Sequence, residues 1–132
     1  MGANTKMRDG QGNLWPVDSP EGQALPAIGR VYRVALDGKV TLVVDADREM
    51  PCPNGVSAPT RKRLLVAEFF KGNILSVDGK TKRVLASGYR GADGITSDRS
   101  GALFLSSWTQ GKVWRLDRDG KNETVILEGL RS

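Results

Sequence analysis

The chain has 132 residues, 39% of them hydrophobic, which is enough for one domain with a core of its own. Histidine is absent and Cys52 is the single cysteine, so Ser-His-Asp and Cys-His catalysis, histidine-ligated metals and an intrachain disulfide are excluded. The 20 basic residues exceed the 15 acidic ones, for a net charge of +5. Because the chain has no histidine, any catalysis must rest on carboxylates, a metal-bound water, lysine or tyrosine.

The basic excess is scattered along the chain, apart from two clusters at Arg61–Arg63 and Lys80–Arg83. Both clusters fall at predicted turns, where a solvated loop tip is the simpler interpretation and a nucleic-acid surface the alternative. No recognisable nucleic-acid-binding module accompanies them, so we expect no nucleic-acid partner. The N-terminus lacks an apolar segment and no run reaches membrane-spanning length, so we expect no signal peptide, no membrane partner and a cytoplasmic protein.

Predicted strands follow one another along the chain with a period of two. In chain order they begin near Leu14, Gly29, Val40, Leu64, Gly72, Lys82, Leu103, Gly111 and Thr124. Turns are predicted at the Asp-Gly pairs that begin at Asp37, Asp78 and Asp119, each flanked by apolar alternation. No stretch has the spacing of a long amphipathic helix, so the class is all-β.

The strands recur in units. Glycine opens equivalent strands at Gly29, Gly72 and Gly111, which are 43 and 39 residues apart. Periods of about 40 to 45 residues with several short strands per unit are typical of propeller blades. We therefore predict a single partial β-propeller domain over residues 1–132, with about three four-stranded blades and approximate repeats 4–53, 54–92 and 93–132. An ordinary β-meander with accidental regularity is the alternative.

Three polar residues keep their phase through the units. Asn4, Asn54 and Asp93 each lie ten residues before an apolar run. Equivalent loops of a radial repeat would bring these oxygens towards one axis, where a hard cation prefers such ligands. Turn formation is the alternative for Asn54 and Asp93, because Asn-Gly and Asp-Gly are common turn dipeptides. Asp18 is a further candidate for a channel-facing, substrate-binding residue, with turn chemistry again as the alternative.

The motifs resemble a known family. Asn54-Gly55 followed by the apolar run Arg63–Ala67 resembles one element of the senescence-marker-protein, gluconolactonase and luciferin-regenerating-enzyme-like (regucalcin-like) family. Gly91–Ile95 followed by Asp98–Phe104 resembles a second element, and Gly111–Asp117 looks like the strand after it. The resemblance extends over residues 4 to 128.

This resemblance implies a six-bladed propeller with a divalent cation, often calcium, at the top of its central channel. The family's metal-binding Asn and Asp fall on Asn54 and Asp93, and a further Asn near the metal or substrate matches Asn4. The family's metal-binding Glu comes from a first blade that has no counterpart here. In a lactonase-like reaction the cation polarises the carbonyl, and Asp93 is also the candidate catalytic base for the attacking water.

The leading functional hypothesis is a metal-dependent hydrolase of the gluconolactonase type, or a piece of one, that acts on a small lactone, ester or sugar-acid substrate. The alternative is a non-catalytic propeller that binds a small ligand or a partner protein, since fold alone does not decide function. Three units do not close a propeller of four to eight blades. We therefore expect either a fragment or copies that self-associate through open blade edges.

Overall fold

The computed structural model describes residues 29–45 and 47–131, together with the backbone of residues 3–8 and 14–18. Twelve strands form there: β1 Ala3–Arg8, β2 Leu14–Asp18, β3 Arg30–Val34, β4 Val40–Val44, β5 Pro53–Ser57, β6 Arg63–Glu68, β7 Ile74–Asp78, β8 Thr81–Ala86, β9 Ala92–Ser97, β10 Leu103–Ser107, β11 Lys112–Leu116 and β12 Thr124–Leu127. The described residues contain no helix, and thus none that could span a membrane.

The strands form three antiparallel four-stranded sheets, each a simple up-and-down meander: β1 to β4, β5 to β8 and β9 to β12. We call these sheets blades 1, 2 and 3. Their first strands face one another, since β5 packs against both β1 and β9. This is the arrangement of neighbouring propeller blades, whose first strands are the inner ones. The all-β fold class and its three four-stranded blades are confirmed.

The predicted Asp-Gly turns connect the third and fourth strand of each blade. In blade 1 the Ala35 N–H donates to the Lys39 carbonyl at 2.9 Å, and the Asp37 carboxylate accepts the Lys39 N–H at 3.0 Å. Gly38 has a φ of 86°, a left-handed conformation that glycine adopts without strain. Short polar turns of this type join adjacent antiparallel strands, which explains the regular meander.

The core lies between blades rather than within them. The four central residues of β6, Leu64 to Ala67, are all apolar, and their side chains alternate between two clusters. Leu64 and Val66 pack with blade 1 residues such as Val31 and Val44. Leu65 and Ala67 instead pack with residues of blade 3, so β6 is covered on both faces and this run lacks the usual alternation of apolar and polar residues.

Candidate functional site

The inner strand of every blade contains a register shift at its start. In blade 2, Pro53 pairs with Glu68 and Gly55 with Ala67, so Asn54 is the extra residue. In blade 1, Ala3 pairs with Asp18 and Thr5 with Val17, so the extra residue is Asn4. In blade 3 the shift falls between the pairs Ser107 with Ala92 and Leu105 with Ile95, and Asp93 lies inside it. Three independent register shifts thus coincide with the three in-phase polar residues.

These irregularities have a physical consequence for the polar side chains. A β-bulge leaves one residue out of the regular ladder and turns its side chain away from the normal alternation. Bulges are common at the rims of closed β-structures and beside active sites. The bulges of the three inner strands therefore place Asn4, Asn54 and Asp93 at the same end of three adjacent strands.

The inner strands β5 and β9 approach each other closely beside Asn54 and Asp93. A Cβ atom on Gly55 would lie only 2.2 Å from the carbonyl oxygen of Asp93. Glycine follows Asn54 because no side chain fits between these two backbones. The same contact makes Asn54 and Asp93 neighbours across the boundary between blades 2 and 3.

The two neighbours differ in environment. Asn54 is 9% exposed and Asp93 is exposed. An amide oxygen and a carboxylate are donors that suit Ca²⁺, so these residues fit part of a cation site. Across residues 29–45 and 47–131 there is no group of three or more Asp, Glu, Cys or His that could hold a metal ion. The side chains of Asn4 in β1 and Asp18 in β2 lie outside the described part of the chain.

Glu68 supports the segment that leads into the bulge of blade 2. Its carboxylate is fully buried and accepts four backbone N–H groups. Oε1 accepts from Cys52 at 3.0 Å and Phe70 at 2.9 Å, and Oε2 accepts from Lys71 at 2.6 Å and Gly72 at 3.2 Å. Burial raises the pKa of Glu68, and the four hydrogen bonds oppose that rise.

This role of Glu68 was not predicted from the sequence. The available signal was a carboxylate directly after the apolar run Leu64–Ala67, where a buried charge requires several donors. By accepting these hydrogen bonds, the Glu68 carboxylate joins the β6–β7 turn to the segment at Cys52, two residues before Asn54. Glu68 is therefore a positioning residue for the start of the inner strand.

Blade 3 builds the same support with a neutral side chain. Ser107 has the position of Glu68, since it pairs with the residue that precedes the bulge. Its hydroxyl donates to the Arg90 carbonyl at 2.7 Å and accepts the Gln110 N–H at 3.1 Å. Asp18 has this position in blade 1, where it pairs with Ala3. Blades 2 and 3 thus use this position for backbone support.

Aromatic side chains lie at the same end of the blades. Phe69 in blade 2 contacts Trp108 in blade 3, with ring centroids 6.5 Å apart, and also contacts Phe70 at 5.7 Å. The backbone of Gly91 lies between them, because its N–H donates to the Phe69 carbonyl and its carbonyl accepts the Trp108 N–H. Trp108 is 60% exposed. The aromatic contact therefore spans the blade boundary two residues before Asp93.

These features define a class of protein: a β-propeller with oxygen-donor side chains at bulges on the inner strands. The chain belongs to the SMP-30/gluconolactonase/LRE-like family, whose model matches residues 1–128. That result confirms the family resemblance of the sequence motifs. No curated protein matches the sequence significantly.

Solved structures share this fold. The calcium-binding protein regucalcin from Agrobacterium tumefaciens matches with a TM-score of 0.77 and 22% identity, over 93% of this chain and 44% of that one. A gluconolactonase from Xanthomonas campestris matches with a TM-score of 0.72 and 28% identity, over 91% and 45%. A luciferin-regenerating enzyme matches with a TM-score of 0.76 and 19% identity, over 97% and 46%. The chain thus spans less than half the length of these three proteins.

Proposed function

We propose that this chain carries part of the site of a lactonase-type hydrolase in which Asn54 and Asp93 provide oxygen ligands to a divalent cation, with calcium as the preferred ion. The observation that supports this most is the coincidence of an Asn or Asp with a bulge in each inner strand. The family and the likeness to a gluconolactonase support a small lactone or sugar-acid ester as the substrate class.

The chain's own residues divide the chemistry. A bound divalent cation would polarise the lactone carbonyl and stabilise negative charge on its oxygen. Asp93 lies within the bulge of β9 and is exposed, so its carboxylate can take the proton of an attacking water as a general base. Asn54 is nearly buried and orients an amide oxygen without adding charge. Asn4, at the equivalent bulge of blade 1, is proposed as a substrate-binding residue, and so is Asp18, which pairs with Ala3 beside that bulge.

The proposal is tested by calcium binding and by hydrolysis of glucono-δ-lactone with the purified protein. We expect Asp93→Ala to weaken calcium binding at least about tenfold, equivalent to ~1.4 kcal/mol, because a charged ligand is lost. Asp119→Asn is the matched control, since it removes an exposed carboxylate from a turn at the other end of blade 3. Equal calcium affinity in the Asp93→Ala variant and the parent protein would refute the assignment.

A non-catalytic propeller that binds a small ligand remains the second candidate. One observation favours it: the described residues 29–45 and 47–131 bring together no three acidic groups that could hold a metal. The same fold occurs in an auxiliary nutrient binding protein from Bacteroides thetaiotaomicron, with a TM-score of 0.71 and 14% identity. Ligand binding that survives both chelation of divalent ions and the Asp93→Ala change would favour this candidate.

A further inference from the structure

A groove of about 430 Å³ lies at the end of blade 2 remote from Asn54. Apolar side chains from blades 1 and 2 form its floor: Val43, Ala58, Leu64 and Val77. Leu64 and Val77 belong to the core cluster, and Val43 and Ala58 pack against it. The groove therefore has a firm apolar base and a volume within the range of small-molecule sites.

The loop before β6 forms the basic part of the polar rim, and Asp78 and Gly79 at the end of β7 complete it. The Thr60 hydroxyl oxygen accepts the backbone N–H groups of Lys62 at 3.3 Å and of Arg63 at 3.1 Å. Such side-chain to backbone bonds fix a turn locally. Because Thr60 holds the turn, three consecutive basic residues, Arg61 to Arg63, are kept at the edge of the apolar floor.

The rim carries more positive than negative charge. Asp78 is the single carboxylate among the residues that line the groove. Within the described ranges, neither Arg61 nor Lys62 takes part in an ion pair. The guanidinium of Arg63 donates to neutral oxygens, the Ser76 hydroxyl at 3.1 Å and the Arg118 carbonyl at 2.9 Å. These bonds hold Arg63 in place without cancelling its charge.

Neighbouring cations strengthen the positive potential at this position. Burial holds the pKa of Arg63 below its ordinary value, and the positive charges of Arg118 and Arg83 lower it further. Asp78 opposes this shift, but it is the smallest of the four influences. A bound anion would relieve the repulsion among these cations.

We propose that this groove binds a small amphiphilic organic anion, a carboxylate with an alkyl or aryl body. The body would lie on the floor formed by Val43, Ala58, Leu64 and Val77, and the carboxylate would accept charge-assisted hydrogen bonds from Arg61 and Lys62. The lining residues include no aromatic side chain on which a base could stack. Basic charge over an apolar floor thus favours an amphiphile over a nucleic acid, and the site is independent of the proposed lactonase function.

The test is a titration followed by amide NMR, with three ligands that separate the two halves of the site. Sodium decanoate, kept below its micelle concentration, carries both the body and the charge; acetate carries the charge alone, and decanol the body alone. We expect decanoate to cause saturable shifts at residues 60–64 and 77–79, with acetate and decanol at least about tenfold weaker. Decanol as tight as decanoate, or shifts confined to other residues, would overturn the proposal.

A pair of variants isolates the contribution of the rim. The double change Arg61→Gln and Lys62→Gln should weaken decanoate binding about tenfold. The control double change Arg99→Gln and Lys121→Gln removes the same charge from other exposed loops and should leave binding within about twofold. Equal losses in both would mean general attraction by net charge and would overturn the site. Binding of a single-stranded oligonucleotide at residues 60–64, without binding of decanoate, would overturn it in favour of nucleic acid.

Discussion

The carboxylate of Glu68 carries a charge into a fully buried position, where it accepts four backbone N–H groups. Burial raises its pKa above the ordinary value of 4.5. The folded protein therefore binds a proton more tightly at this residue than the unfolded chain does. Between the unfolded and folded pKa values the free energy of unfolding must decrease as the pH rises.

The Glu68→Gln variant tests this assignment. Glutamine cannot titrate, so we expect the decrease attributable to Glu68 to disappear from its pH profile. At neutral pH the variant should still be less stable by roughly 1–3 kcal/mol, because the amide has one acceptor oxygen where the carboxylate has two. Urea unfolding of both proteins from roughly pH 4 to 8 measures the difference between the profiles. Parallel profiles would show that Glu68 does not titrate in this window.

Gly55 offers a second test at the scale of one residue. An alanine there would place its Cβ 2.2 Å from the Asp93 carbonyl, so β5 and β9 would have to separate. We expect Gly55→Ala to lower the free energy of unfolding by about 3 kcal/mol, within the range for overpacking. Gly94→Ala is the matched control, since its Cβ would meet only the rotatable Ser106 hydroxyl at 3.1 Å. Thermal unfolding measures both, and equal effects would contradict the close approach.

At the scale of elements, the turn after the second strand supports the start of the inner strand in blades 2 and 3. In blade 3 the Arg90 carbonyl accepts from the hydroxyls of Ser107 and Thr109, at 2.7 and 3.0 Å, and from the Gln110 side chain at 3.0 Å. Ser107 is buried and Thr109 is exposed. Water can replace the hydroxyl of Thr109 but has little access to that of Ser107.

Two matched changes compare these hydroxyls. We expect Ser107→Ala to lower the free energy of unfolding by about 1–2 kcal/mol, because the buried hydroxyl is lost and the Arg90 carbonyl and the Gln110 N–H each lose a partner. Thr109→Val should cost less than about 0.5 kcal/mol, since solvent satisfies the exposed groups. Chemical denaturation measures both variants. A larger loss for Thr109→Val would reverse the order and contradict this account of the turn.

The elements could be predicted because their signals are local. The Asp-Gly pair at Asp119 and the alternation of Lys112–Leu116 depend on neighbours in the chain, so sequence and structure agree there. The equivalent positions of Asn54 and Asp93 in the repeat could also be predicted from their spacing. Their bulges could not, because a bulge depends on pairing with another strand. The burial of Glu68 had a local signal in the apolar run before it, but its hydrogen-bond donors could not be predicted, because they include Cys52, 16 residues away. The groove at Arg61 was missed for the same reason, since its floor includes Val43 of another blade.

At the scale of the whole molecule, strand β12 exposes a row of apolar side chains. Val125, Ile126 and Leu127 are all exposed, and β12 lies at the edge of its sheet. Exposed apolar edges promote pairing with other chains. We therefore expect concentration-dependent association of this chain, in line with the self-association proposed from the sequence.

Replacing Ile126 with lysine should weaken this association by at least about fivefold, because a charge on an edge strand opposes pairing. Light scattering over a concentration series measures the change. Adding Lys121→Ile to the Ile126→Lys variant restores the net charge and the apolar content, but at a position outside β12. This control should not restore association. Monomeric parent protein throughout the series would show that the edge does not pair.

The alternating side chains of β6 bear on how the molecule comes apart. Leu64 and Val66 belong to one core cluster, and Leu65 and Ala67 to the other. In the described part of the chain, both core clusters combine residues of blade 2 with residues of a neighbouring blade, so we do not expect blade 2 to unfold alone. Unfolding of blade 2 would expose both clusters at once, so we expect the two outer blades to be coupled through β6, whose side chains belong to both clusters. We therefore expect cooperativity in this molecule to be a nearest-neighbour property, transmitted from one blade to the next rather than from a common centre.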